Sequence, residues 1–286
     1  PYDGLLNFFG CSAINLFGYG ATLKMNKQEY IDLNDGSQWR HAISISGCED
    51  MTVFGFEILD TGGDGIEVAG LFQQPVPSEN VRILDCKIDN AFRNGISITS
   101  CDGCQIEHCE ITNTNGQNPQ FGIDLEPNYW YELSKDILIK NCRLTGNVRG
   151  GIKLEYWKMS PSSQPFSVTI EDCYISDGKY GFDIDIWTDS LAYGHINIER
   201  CIVENIAFEG VNSHKRNTSS FTIKDCVFRN VATEDFDDHG QDVYPFRIVG
   251  IAAFSGVDNW VGNFTLEDVF LDQEEEEDFF VIVHWG

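Results

Sequence analysis

Hydrophobic and polar residues alternate along the chain in short runs, and one such run recurs. Its form is apolar, any, apolar, any, any, Cys, any, apolar. Clear copies are VRILDCKI from Val81, CQIEHCEI from Cys104, ILIKNCRL from Ile137, VTIEDCYI from Val168, INIERCIV from Ile196 and FTIKDCVF from Phe221. A period of two, filled with Val, Ile, Phe and Thr, favours strands over helices. Each copy therefore predicts a β-strand.

A second short strand follows most copies after a turn. These segments are GIEV from Gly65, GISI from Gly95, GIDL from Gly122, GIKL from Gly151, GFDI from Gly181 and GVNS from Gly210. Short strands that repeat without helical crossovers are typical of a parallel β-solenoid. We therefore predict an all-β solenoid of roughly nine coils over residues 1–286, with residues 272–286 as a C-terminal cap.

Stacking the coils aligns cysteine and asparagine residues in columns. The cysteine column holds Cys86, Cys109, Cys142, Cys173, Cys201 and Cys226, and the asparagine column holds Asn90, Asn113, Asp177, Asn205 and Asn230, with Gly146 as an exception. Parallel stacked side chains are poorly placed for disulfides, so we expect buried thiols. We expect the asparagines to point inward and to bond one another along the stack.

Charge and composition narrow the possible partners. A formal charge of -26 argues against nucleic acid and anionic membranes, which would be repelled. No apolar run reaches the roughly 20 residues of a transmembrane helix. The opening PYDGLLNFFG has no leader pattern and is typical of a cut into a longer protein.

The repeated strands and the two columns resemble the right-handed parallel β-helix superfamily of pectate lyases, polygalacturonases, uronate epimerases and phage tailspikes. The resemblance runs from about Cys11 to about Leu271. It implies a polysaccharide or oligosaccharide partner along one long face, and an extracellular, secreted or virion-associated location. The polygalacturonase strings N-T-D, G-H-G and R-I-K are absent. The resemblance therefore implies a substrate class without a mechanism.

The polar positions of the second strands point outward onto one face and form two columns. The first holds Ser44, Glu67, Ser97, Asp124, Lys153, Asp183 and Asn212, and the second holds Ser46, Ala69, Thr99, Glu126, Glu155, Asp185 and His214. Three successive coils thus present five carboxylates and one lysine. Such crowding raises at least one carboxyl pKa, which is what a general acid requires.

This face predicts glycoside hydrolysis by paired carboxylates. Asp183 and Asp185 are the favoured pair, with Asp124 or Glu155 as further acid or base. Glu126 belongs to the same catalytic set, and Lys153 tunes the charge or binds substrate. Outward positions on one strand lie roughly 6.5–7 Å apart at Cα, near the spacing of inverting enzymes, whereas pairs on adjacent coils lie nearer the retaining spacing.

Aromatic residues follow the acidic strands, and flat rings suit the faces of sugars. The predicted substrate-binding set is Trp130, Tyr156, Trp157, Trp187, Glu67, Asp64, Asn212 and His214.

Two other functions stay open. A uronate lyase or epimerase would use Lys153 as the base and Ca²⁺ held by Asp124 and Asp183, whereas the hydrolase requires no cofactor. A non-catalytic glycan-binding or tailspike-like module would use the same face for binding alone. The oligomeric state does not follow from the sequence.

Overall fold

Each coil of the chain contributes one strand to each of three parallel sheets in the computed structural model. The structure describes residues 4–33, 36–186, 193–215, 219–250, 264–272 and 281–285. Within these ranges every pairing between named strands is parallel, and each strand pairs with its counterpart in the next coil. The predicted all-β solenoid of about nine coils is confirmed.

Within the described ranges, sheet 1 consists of β1 (Leu6–Phe9), β4 (Ile43–Ser46), β7 (Ile66–Ala69), β10 (Ile96–Ile98), β13 (Phe121–Leu125), β16 (Gly150–Glu155), β19 (Tyr180–Asp185), β22 (Val211–Lys215), β25 (Phe246–Gly250) and β28 (Val281–Trp285). Sheet 2 consists of β2 (Ser12–Phe17), β5 (Glu49–Phe54), β8 (Ser78–Leu84), β11 (Cys101–Glu107), β14 (Ser134–Lys140), β17 (Phe166–Glu171), β20 (Gly194–Glu199), β23 (Ser219–Lys224) and β26 (Phe264–Glu267). Sheet 3 consists of β3 (Thr22–Lys24), β6 (Glu57–Leu59), β9 (Lys87–Asp89), β12 (Glu110–Thr112), β15 (Arg143–Thr145), β18 (Tyr174–Gly178), β21 (Ile202–Ile206), β24 (Val227–Val231) and β27 (Phe270–Asp272).

The core is a set of side-chain stacks that run through the coils. In sheet 1 the register aligns the buried residues Ile66, Ile96, Ile123, Ile152, Phe182 and Val211. Burying each of these side chains contributes about 1.5–3 kcal/mol, so the repeated apolar positions supply the driving force for stacking. The polar residues between them are left on the outer face, as alternation requires.

The corner between sheet 2 and sheet 3 has nearly constant length. From β5 to β27 it always contains two residues. The first adopts a left-handed backbone, with φ of 56° at Asp85, 53° at His108 and 55° at Asp172. The second is Phe56 in the first of these corners, Val269 in the last and the column cysteine in the six between them. The column cysteines are buried as predicted, and all ten cysteines are free thiols.

The asparagine column differs from the prediction. Asn90, Asn113 and Asn230 are exposed or half-buried, and they lie at the ends of sheet 3 strands with φ of 58°, 57° and 48°. Gly146, the exception in the column, shares this conformation at φ 68°. The column therefore selects residues that tolerate a left-handed backbone, and the prediction that its side chains point inward is wrong. Bonding along the stack is present, because Asn90 Nδ2 donates to Asp60 Oδ1 (2.6 Å) and Asn230 Nδ2 donates to Asn205 Oδ1 (3.0 Å).

The connections on both edges of sheet 1 vary in length. They range from the single residue between β18 and β19 to the long segment between β3 and β4, which contains the helix α1 (Lys27–Leu33). Lys27 fastens this segment to later coils: its Nζ donates to Asn90 Oδ1 (2.8 Å) and Asn115 Oδ1 (2.9 Å). Burial lowers the pKa of Lys27 to about 8.

The acidic run at residues 274–278 lies outside the described residues. β28 follows it and extends sheet 1 beside β25, so the C-terminal cap stays a prediction. Across the described segments, none of the helices combines the length and the apolar character needed to cross a bilayer.

Candidate functional site

The outward face of sheet 1 carries the two columns that the sequence predicts. In the first column the register pairs Asp124 with Lys153 and Lys153 with Asp183. In the second column it pairs Glu155 with Asp185, and Asp185 with His214. The alternation of the strands thus brings six predicted site residues onto one surface.

Lys153 lies at the centre of this cluster. Its Nζ is 3.0 Å from Glu155 Oε2, 3.4 Å from Asp183 Oδ2 and 3.6 Å from Asp185 Oδ2. Burial opposes the charged form, but the three carboxylates and Asp124 outweigh it and raise the pKa of Lys153 above its ordinary value. Lys153 is therefore a fixed positive charge at neutral pH.

Glu155 and Asp185 are neighbours whose pKa values move in opposite directions. Burial raises the pKa of Glu155, an effect that Lys153 only partly offsets. Burial also acts on Asp185, but His214 Nδ1 at 3.0 Å from Asp185 Oδ1, together with Lys153, lowers the pKa of Asp185. Both side chains keep about a fifth of their surface exposed, 23% and 22%. One accessible carboxyl group thus favours the acid form and its neighbour the base form.

Asp183 and Asp124 lie deeper than the sequence predicts. Asp183 is 4% exposed and accepts a hydrogen bond from Asn212 Nδ2 (2.8 Å). Asp124 is fully buried and accepts one from Asn94 Nδ2 (2.9 Å), while its Oδ1 is without a hydrogen bond. Burial raises the pKa of both aspartates. Their outward positions are as predicted, but the two carboxyl groups lie under the cluster and not at its surface.

Arg93 links Asp64 to the second column. Its guanidinium is 3.2 Å from Asp64 Oδ2 and 2.8 Å from Glu126 Oε2. Asp64 is 1% exposed and also accepts the backbone N–H of Asn94 (2.9 Å). The prediction that Asp64 contacts substrate is therefore wrong, because its carboxylate is used to hold Arg93 and the chain at Asn94.

His41 lies beneath Glu67 and was not in the predicted site. The backbone N–H of Asp64 donates to His41 Nδ1 (3.0 Å), so the ring hydrogen is on Nε2, which faces Glu67 Oε2 at 3.6 Å. Ser44 Oγ also donates to Glu67 Oε2 (2.9 Å). Glu67 is thus held in one orientation on the outward face of sheet 1.

Two clefts open on this face. The acidic cleft, about 360 Å³, is lined by Gln38, Arg93, Glu126, Arg149, Lys153 and Glu155 together with Phe121 and residues 117–119. The aromatic cleft, about 480 Å³, is lined by Trp39, Glu67, Ala69, Gly70, Phe72, Gln73, Thr99, Asn128, Tyr129 and Glu132. Gln38 of the acidic cleft and Trp39 of the aromatic cleft are consecutive in the chain. Glu126 of the acidic cleft also lies one coil from Thr99 of the aromatic cleft, so the two clefts adjoin.

The predicted aromatic contacts have mixed outcomes. The prediction that Tyr156 binds substrate is wrong, because its side chain is fully buried. Its ring stacks on that of Phe166 with centroids 4.5 Å apart, and its hydroxyl group shares a hydrogen bond with Ser134. Trp130 and Trp157 are exposed, but neither lines either cleft in the described part of the chain. Trp187 lies outside the described residues.

Sequence reasoning missed Trp39, Phe72 and Glu132. They lie in connecting segments outside the repeat, so the column pattern gave no signal for them.

A calcium site between Asp124 and Asp183 does not fit the donor arrangement. The register places Lys153 between the two carboxylates, and its ammonium group already neutralises Asp183. Among the described residues, no group of three or more His, Cys, Asp or Glu side chains is arranged to hold a metal ion. No chemistry is therefore assigned to calcium.

Curated relatives cover only part of this chain. YclG of Bacillus subtilis (strain 168) is 36% identical over 126 residues, which are 40% of this chain and 22% of YclG. The SPbeta prophage-derived protein YorA of the same organism is 27% identical over 162 residues, 52% of this chain and 26% of YorA. Both are uncharacterized, and the matched part spans about a quarter of their length.

Solved structures share the fold at low identity. Pectate lyase Pel9A aligns at a TM-score of 0.53 and 14% identity, over 86% of this chain and 61% of that one. The periplasmic alginate epimerase AlgG aligns at 0.55 and 10%, over 91% and 61%. The endo-xylogalacturonan hydrolase of Aspergillus tubingensis aligns at 0.55 and 10%, over 95% and 73%.

The family model described as "Right handed beta helix region" matches residues 7–126 and 41–266, which together are most of the sequence. The stacked parallel coils, the outward columns and this match agree: the chain belongs to the right-handed β-helix family.

Proposed function

We propose that this chain cleaves a polysaccharide as a glycoside hydrolase, with Glu155 as the general acid and Asp185 as its carboxylate partner. The observation that carries the proposal is the geometry of this pair: two accessible carboxyl groups on adjacent strands contact the same Lys153, and His214 bonds to Asp185, so their pKa values move in opposite directions. Environments that push two carboxyl pKa values apart distinguish the acid from the base in such sites. Glu155 protonates the glycosidic oxygen as the bond to the leaving sugar breaks, and Asp185 acts on the opposite side of the sugar ring.

The separation of the pair favours retention of configuration. Glu155 and Asp185 are directly paired across adjacent strands, and both contact Lys153 Nζ. The two oxygens that contact Lys153, Glu155 Oε2 and Asp185 Oδ2, therefore lie less than about 7 Å apart. This limit is below most of the roughly 6.5–9.5 Å range of inverting enzymes and admits the roughly 5–5.5 Å of retaining enzymes. In this geometry Asp185 is the nucleophile that forms a glycosyl ester, and Glu155 then takes a proton from the water that hydrolyses it.

The surrounding residues act through this pair. Lys153 keeps Asp185 ionised, and His214 holds one oxygen of the same carboxylate. Asn212 orients Asp183, which in turn fixes Lys153. The buried carboxylates Asp183 and Asp124 are positioning residues in this proposal, because substrate has little access to them.

Fold relatives support a polysaccharide as the substrate class. Three solved structures with TM-scores above 0.5 are by name a pectate lyase, an alginate epimerase and an endo-xylogalacturonan hydrolase. A lyase or epimerase that uses Lys153 as the base is less well supported, because the neighbouring carboxylates keep Lys153 protonated.

A glycan-panel digest with two readouts tests the reaction class. New reducing ends without the ultraviolet absorbance of an unsaturated uronate product support hydrolysis. Absorbance supports a lyase and overturns the proposal. Binding of a glycan with neither product supports a binding module and also overturns it.

Variants then test the residue assignment. Glu155→Gln and Asp185→Asn should each lower kcat by about a hundredfold or more, because each removes one proton-transfer or nucleophilic group. Glu110→Gln, on the outward face of sheet 3 beside Lys87, is the matched control and should keep wild-type activity. Full activity in either site variant contradicts the assignment.

A further inference from the structure

The aromatic cleft presents three rings from three separate segments. Trp39 precedes β4, Phe72 follows β7 and Tyr129 follows β13. Their exposed fractions are 51%, 63% and 42%. Single exposed apolar residues are common on protein surfaces and need no explanation. Three exposed rings that line one concave surface are instead typical of a ligand-binding site.

The segment that carries Tyr129 is held in shape. Glu132 accepts hydrogen bonds from the backbone N–H groups of Asn128 and Tyr129, the latter at 3.1 Å. Tyr129 stacks on Tyr131 with ring centroids 5.3 Å apart and planes within 2° of parallel. The ring is therefore preorganised, which reduces the entropy lost when a ligand packs on it.

The polar groups of the aromatic cleft are carboxyls. Glu67 lies on one wall, oriented by Ser44, and Glu132 lies on another. Burial raises the pKa of Glu132 to about 7. Carboxyl oxygens accept hydrogen bonds from hydroxyl groups, but they repel an anionic sugar. The lining therefore fits an uncharged sugar ring.

The aromatic cleft lies at a defined distance from the proposed acid and nucleophile. The second outward column runs from Ala69 through Thr99 and Glu126 to Glu155, one coil per step. Successive coils are about 4.8 Å apart, so the cleft is roughly 10–14 Å from Glu155. The distance between successive coils is comparable to the length of one sugar residue in an extended glycan.

We propose that Trp39, Phe72 and Tyr129 form a binding subsite for a neutral sugar, two to three residues along the glycan from the bond that is cleaved. This inference rests on the proposed function for its position relative to the cleaved bond. It adds that the substrate is an extended chain with an uncharged residue at this end. Rings stack on the sugar faces, and Glu67 and Glu132 accept hydrogen bonds from its hydroxyl groups.

Binding can be measured without turnover in the Glu155→Gln variant. The probes are xylo- and cello-oligosaccharides of two to six residues and galacturonate oligomers of the same lengths, titrated by calorimetry. Neutral oligomers of four or more residues should bind at least tenfold more tightly than dimers. Adding Trp39→Ala or Phe72→Ala should remove that gain and leave dimer binding unchanged, and Trp39→Phe should restore most of it.

Phe17→Ala is the matched control, because Phe17 is 72% exposed on the outward face of sheet 2 and lines neither cleft. Its binding should equal that of the parent, whereas its thermal unfolding temperature should fall slightly because Phe17 stacks on Phe54 with ring centroids 4.9 Å apart. Binding confined to galacturonate oligomers, absence of binding by every neutral oligomer, or a length dependence that survives Trp39→Ala and Phe72→Ala would each overturn the subsite. Hydrolysis with an unchanged length dependence would overturn the subsite alone, whereas ring-dependent binding without hydrolysis would overturn the hydrolase alone.

Discussion

Replacing Lys153 with methionine tests the electrostatic account of the cluster most directly. The substitution preserves most of the apolar stem and removes a charge that is 13% exposed and lies 3.0–3.6 Å from three carboxylates. Removing one partner of a buried ion pair costs about 3–5 kcal/mol. Asp183 keeps its bond from Asn212, and the other two carboxylates are partly solvated, so we expect about 3 kcal/mol at pH 7.5.

The penalty should depend on pH with a defined sign. Burial already holds the folded-state pKa values of Asp183 and Glu155 above their ordinary values, and removing Lys153 raises both further. The folded state then binds protons more readily than the unfolded state, so the variant loses stability as pH rises through those raised values. The difference from wild type should therefore be largest near pH 7.5 and should shrink toward pH 4.5.

Reversible urea unfolding, followed by tryptophan fluorescence at both pH values, measures this difference. Lys87→Met is the control: its pair with Glu110 is exposed, and its loss should cost less than about 1 kcal/mol at either pH. The double variant Lys153→Met/Asp183→Asn should recover at least 1 kcal/mol or so of the single-variant loss, because it removes the stranded charge. A Lys153→Met penalty no larger than that of Lys87→Met, or one that is independent of pH, refutes the reasoning.

Three further outcomes follow from the structure. His214→Ala removes the contact that lowers the pKa of Asp185, so the acidic limb of the pH–rate profile should move toward neutral pH; an unmoved limb would show that His214 does not act on Asp185. Tyr156→Phe should lower the free energy of unfolding by about 1 kcal/mol through its bond to Ser134 and leave kcat and KM unchanged; a change in KM would restore Tyr156 to the substrate-binding set. Gly146→Val should cost about 1–2 kcal/mol because its φ is 68°, and Gly146→Asn should cost less than half of that; equal losses in thermal unfolding experiments would mean that backbone conformation is not what the column selects.

The strand order and the outward columns could be predicted because the solenoid repeats the same local pattern. Once Ile152 and Phe182 align, Lys153 must stack beside Asp183 and Glu155 beside Asp185. Alternation also holds one residue beyond β16, which places Tyr156 inward against Phe166. Tyr156 was wrongly predicted to be a surface ring because the prediction used its closeness to an acidic strand and did not use the two-residue alternation of that strand.

Other features depended on neighbours that a repeat does not specify. Asp124 and Glu126 occupy equivalent outward positions, yet Asp124 is buried, with Asn94 donating to its carboxylate, while Glu126 stays accessible beside Arg93. Trp39 and Phe72 come from connections of irregular length, for which no repeat position exists. The asparagine column was visible, but its cause is backbone conformation, as Gly146 shows.

The contrast between the corners of each coil determines where this fold can change. The two-residue corner between sheets 2 and 3 keeps successive coils in step, so an insertion there would displace every later stack. Insertions on the two edges of sheet 1 leave the stacks in place and instead build the walls of the clefts. The segments that carry Trp39, Phe72 and Tyr129 do this for the aromatic cleft. Ligand preference in this architecture can therefore diverge by exchange of edge segments, while the coils that hold Lys153, Glu155 and Asp185 stay unaltered.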